Sequence, residues 1–66
     1  MRYEIVLYWE NDVWVAEAPE LTGCATHGAT REEALRQIEE LIPQWIEEAK
    51  KNGYPVPVPK GRFSFA

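Results

Sequence analysis

The sequence predicts an α+β fold: a two-layer β-β-β-α-β domain in which a small, mainly antiparallel sheet carries one long amphipathic helix on one face. Three observations lead there. Two early segments, RYEIVLYWE and VWVAEA, alternate apolar and polar residues with the period of a strand. A longer segment after Thr30 repeats its apolar residues at helical steps. Between them, PELTGCATHGAT is rich in residues that turn a chain. With 66 residues, the chain is expected to form a single domain, 1–66, near the lower limit for a core held without disulfide, metal or partner chain.

Residues 2–18 are expected to form a hairpin, with Asn11 and Asp12 as the turn between two β-branched and aromatic strands. A two-residue loop pairs Glu10 with Val13, Trp9 with Trp14, Leu7 with Ala16 and Ile5 with Ala18. One face is then Ile5, Leu7, Trp9, Trp14, Ala16 and Ala18. The reverse face sets Val6, Tyr8, Val13 and Val15 among Glu4, Glu10 and Glu17, more apolar than a solvated face needs. These four are the candidate interface residues, to be buried by a second copy, by a partner, or by the C-terminal segment folding over them.

Residues 19–28 are read as a turn and a short strand. Pro19 ends the second strand because it lacks a ladder N–H, Gly23 supplies a turn, and the strand runs from about Cys24 to His27. Turn chemistry is the reading given to both Gly23 and Gly28. Thr30 and Glu33 have capping-box spacing, so a helix is expected over 31–52. Its stripe is Ala34, Leu35, Ile38, Leu41, Ile42, Trp45, Ile46 and Ala49. Glu32 and Glu33 suit its start, Lys50 and Lys51 its end, and Gly53 the position just past it. Pro43 conflicts with a straight helix; it falls opposite the stripe, so one helix curved around the sheet is expected, with two shorter ones as the alternative. Residues 54–66 read as a proline-rich exit, YPVPVPKG, and a possible last strand in RFSFA, with Phe63 and Phe65 sharing a face.

A net charge of −4 with seven scattered Lys and Arg argues against direct nucleic-acid binding and favours a basic partner. One cysteine makes no intramolecular disulfide, and no apolar run is long enough for a signal peptide or membrane span, so a cytoplasmic protein with no membrane association is expected.

Val15, Ala16, Pro19, Glu20, Leu21, Gly23, Cys24, Thr26, Gly28, Thr30, Glu32, Glu33 and Ala34, in the order strand, strand, VAEAPELTGCATHGATREEAL, helix, resemble the N-terminal domain of the HicB antitoxin family. The similarity runs from about Tyr3 to Pro59. The resemblance implies a partial ribonuclease-H-like fold, a homodimer or higher homo-oligomer, and binding to a small basic toxin that cleaves messenger RNA. No C-terminal DNA-binding domain is expected from these 66 residues, which departs from the family pattern, as do a hairpin turn without glycine and Pro43. The expected function is therefore that of a non-enzymatic interaction protein. The alternative is a stand-alone homo-oligomeric binding module for an unknown partner or small apolar ligand.

Catalytic readings find little support. Two-metal nuclease chemistry needs converging carboxylates, yet Asp12 is the only aspartate and sits in the hairpin turn. Cys24 and His27, three apart in a strand, point to opposite faces and so make no nucleophile and base pair. No phosphate-loop pattern surrounds Gly23 and Gly28, and two side chains do not make a zinc site, so no cofactor is expected. Trp9, Trp14 and Trp45 are assigned to the core, with an aromatic ligand pocket as the alternative.

Overall fold

The computed structural model describes residues 2–59 and the backbone of Ser64–Phe65. Strands β1 (Val6–Glu10), β2 (Val13–Glu17), β3 (Ala25–Gly28) and β4 (Ser64–Phe65) form one sheet in the order β3-β2-β1-β4, and helix α1 (Arg31–Lys51) packs on one face of it. The fold is α+β. β1, β2 and β3 are antiparallel neighbours, while β4 joins β1 in parallel, Val6 opposite Ser64 and Leu7 opposite Phe65. Phe63 and the side chain of Phe65 lie outside the described residues.

The hairpin has the register that a two-residue loop dictates: Glu10 faces Val13, Trp9 faces Trp14 and Leu7 faces Ala16. Asn11 and Asp12 both take positive φ, 52° and 65°, as a turn matched to the right-handed strand twist requires. Asn and Asp tolerate that region better than other residues with a side chain, so no glycine is needed.

After β2 the chain folds into a compact turn held by three backbone hydrogen bonds. Ala18 N–H donates to the Cys24 carbonyl, Leu21 N–H to Ala18 and Cys24 N–H to Leu21, each at 2.9 Å. Gly23, at φ 77°, supplies the left-handed step. The turn drives Leu21 and Cys24 into the core, and the Glu20 carboxylate reaches across to accept from the Glu4 N–H at 2.6 Å. The entry to β1 is thus tied to the exit of β2.

α1 begins as the capping box predicts. Thr30 is extended, its hydroxyl accepts from Glu33 N–H at 3.0 Å, and Glu33 Oε1 accepts from Ala29 N–H at 2.9 Å. The helix ends in a Schellman arrangement: Tyr54 N–H donates to the Ala49 carbonyl at 2.8 Å, Gly53 N–H to Lys50 at 3.3 Å, with Gly53 at φ 73°. It is continuous through Pro43, so the reading as two helices does not hold. Pro43 is exposed, where the carbonyl it leaves unpaired meets water.

The core lies between helix and sheet. Ile5, Leu7, Ala16, Ala18, Leu21, Cys24, Ala34 and Ile38 are buried together, with Tyr3, Trp14, Leu35, Leu41, Ile42 and Trp45 packed around them. Trp9 departs from expectation: it shares the parity of this face but is 54% exposed. α1 lies chiefly over β3 and β2, starting beside Gly28, so the distal end of β1 extends beyond its cover. Gly28 also differs from the turn role expected of it. A Cβ there would meet Glu33 Oε1 at 2.8 Å and the Ala34 backbone nitrogen at 3.0 Å, so glycine permits β3 and the start of α1 to approach.

Candidate functional site

Strand alternation places Val6, Tyr8, Val13 and Val15 on the face opposite α1, and β3 extends that surface with Ala25 and His27. Tyr8 and Val15 stand directly opposite each other in the register. All four of the sequence-derived candidates are half-buried, whereas Ala25 and His27 are exposed. A shallow depression crosses part of the face, lined by Val13, Val15, Ala25 and His27, with Glu10 at its rim.

Among the described residues no helix or strand lies across this surface. The proline-rich exit is tied elsewhere: Tyr3 packs against the helix-side core and its hydroxyl donates to the Pro57 carbonyl at 2.6 Å. Residues 54–59 are therefore anchored on the helix side. That leaves an apolar centre with carboxylates around it, and the carboxylates act on the centre. Burial, followed by the charges of Glu17 and Glu10, pushes the Tyr8 phenol above its ordinary range.

The other singled-out residues do not converge. Cys24 is buried in the helix-side core, where burial pushes its thiol pKa up, and His27 is exposed on the opposite face. A raised thiol pKa is the reverse of what a cysteine nucleophile needs. Among the described residues no three His, Cys, Asp or Glu side chains come close enough to hold a metal ion. No described helix is long and apolar enough to cross a membrane.

The three tryptophans fall into two places. Trp9 meets Trp14 edge to face at 5.6 Å and 64°, and the Arg31 guanidinium sits over the Trp14 ring at 5.6 Å. Trp45 lies near the other end of the helix, with its indole N–H donating to the Thr22 carbonyl at 2.9 Å. Trp14 and Trp45 both pack against the core, as expected, whereas Trp9 is exposed, and the three rings do not line one pocket. Periodicity assigns a face to each ring, but not the extent of the layer above it.

The architecture defines a small α+β domain with a half-buried apolar sheet face on the side away from α1. The chain belongs to the family described as a domain of unknown function, DUF1902, which it matches over residues 2–59. It is 38% identical over 58 residues to a UPF0150 protein of Thermoplasma acidophilum, an alignment covering 86% of this chain and 84% of that protein. It is 36% identical over 58 residues to a UPF0150 protein of Synechocystis, covering 86% and 80% respectively. No solved structure matches the chain significantly.

Proposed function

We propose that the protein is a non-enzymatic, cytoplasmic interaction module of the HicB antitoxin type, which pairs with a second copy of itself through the Val6, Tyr8, Val13 and Val15 face and masks a small basic mRNA-cleaving toxin. The observation that carries this reading is the half-buried apolar face that no described helix or strand covers on the side away from α1. Covering it with its own copy removes apolar surface from water at roughly 25 cal/mol per Å², and a chain this short gains most from such cover. The element order of three antiparallel strands, a helix and a last strand, which the HicB resemblance implies, supports the reading.

The charge supports the second half. Glu32, Glu39, Glu40 and Glu47 are exposed along α1, and the net charge is −4. Such a surface speeds encounter with a basic protein and repels the RNA that this protein would otherwise hold. The masking is steric and electrostatic, and direct contact with nucleic acid has no part in it. Co-expression with the products of neighbouring genes tests the assignment. A small basic protein recovered at fixed stoichiometry, with rescue of growth, is the expected result; neither recovery nor rescue would count against it.

A second reading, a stand-alone homo-oligomeric binding module, has one observation in its favour. The aligned 58 residues make up 84% and 80% of the two relatives, so those proteins hold little beyond this domain.

A further inference from the structure

A cleft of about 470 Å³ opens at the end of α1, on the side of the compact turn. Its walls include Trp45, Ala49, Tyr54 and Pro55, with Glu48 at the same opening. The Trp45 ring is fixed by a hydrogen bond independent of any ligand, and so is the backbone that carries Tyr54. The Trp45 indole is held by the Thr22 carbonyl, and Tyr54 is placed by its own N–H on the Ala49 carbonyl in the helix cap. The Glu48 carboxylate makes no ion pair among the described residues, although Lys50 and Lys51 follow it closely in the chain. Neither lysine lines the cleft.

We propose that this cleft is a binding site for a small organic cation: an alkylated ammonium on an apolar body, seated against Trp45 and Tyr54 with Glu48 as its counter-charge. Each element selects for that chemistry. Aromatic faces attract a cation through their quadrupole, most strongly when it is weakly hydrated, as an alkylated ammonium is. The carboxylate supplies opposite charge, and the helix C-terminus contributes the negative end of the macrodipole. An anion would meet both of these unfavourably. The volume lies within the range of small-molecule sites. The site lies beyond the interaction function proposed above and depends on neither of its readings.

Titration of ¹⁵N-labelled protein with choline, and separately with its neutral isostere 3,3-dimethylbutan-1-ol, tests the assignment. Trp45 and Trp14 sit near opposite ends of α1, about 20 Å apart at 1.5 Å per residue, so the Trp9 and Trp14 indole signals serve as internal references. Choline is expected to shift the Trp45 indole signal at millimolar concentration, about tenfold more tightly than the alcohol. Glu48→Gln and Tyr54→Ala should each weaken choline binding about fivefold or more. Both positions are exposed, and their structural hydrogen bonds are made by backbone groups, so the fold is kept. Equal affinity for choline and the alcohol, no shift at Trp45, or shifts at Trp9 and Trp14 instead would overturn the proposal. So would binding of a trimethyl-lysine peptide without binding of choline, which would place the cation on a protein.

Discussion

Cys24 and Trp9 show how a residue's surroundings decide its chemistry. The thiol is enclosed beside Leu21 and Ala18, and burial raises its pKa above the ordinary 9.0. A raised pKa in the folded state gives stability that is fully present below the unfolded value and is lost as pH climbs through the folded one. The native protein at about pH 8 should therefore react with Ellman's reagent only on unfolding, and its urea stability should fall above about pH 9 less steeply in Cys24→Ala. Rapid, stoichiometric labelling of folded protein would contradict the placement. Trp9 is the opposite case, because its main described ring contact is the edge-to-face one with Trp14. Trp9→Ala should cost about 1 kcal/mol in urea unfolding, the scale of one aromatic pair. A loss of about 3 kcal/mol or more would mean a buried ring.

Elements whose signals are local were the most legible in the sequence. The hairpin register follows from alternation and a two-residue turn, and the limits of α1 follow from Thr30, Glu33 and Gly53, because each rests on neighbours in the chain. Gly28 escapes a turn-based explanation because its reason is a contact, the approach of β3 to Glu33 and Ala34, which no local pattern encodes. Gly28→Ala should destabilise by about 1–3 kcal/mol through overpacking, as read by thermal and urea unfolding; a variant of wild-type stability would show that the junction has room. Within α1, Pro43 stands at an exposed position and removes one donor. Pro43→Ala restores that bond to Glu39, worth up to about 3 kcal/mol, but frees the unfolded chain by about 0.4–1 kcal/mol. The first effect wins. The variant should unfold at higher urea concentration, and an unchanged or lower midpoint would mean that the proline ring is needed for packing beside Tyr3 and Ile42.

For the whole molecule, one helix covers one side of a four-stranded sheet and leaves the other side half-buried. The apolar residues of that second face were legible from alternation, since Val6, Tyr8, Val13 and Val15 share its parity. The cleft at the end of α1 was not, because Trp45, Glu48 and Tyr54 meet Thr22 only when the compact turn folds back towards the helix end. The same limit hid the exposure of Trp9. Where a layer stops is a property of the assembled molecule, and the account of function rests on such a stopping place. Val15 lies opposite Tyr8 at the middle of the open face, and a lysine there tolerates water but not burial against a second copy. The most direct measurement is sedimentation equilibrium of the wild-type protein and Val15→Lys, with circular dichroism to monitor the fold. The account predicts a wild-type dimer or larger assembly and a folded Val15→Lys monomer; a wild-type monomer at high concentration, or an assembly that Val15→Lys leaves intact, would contradict it.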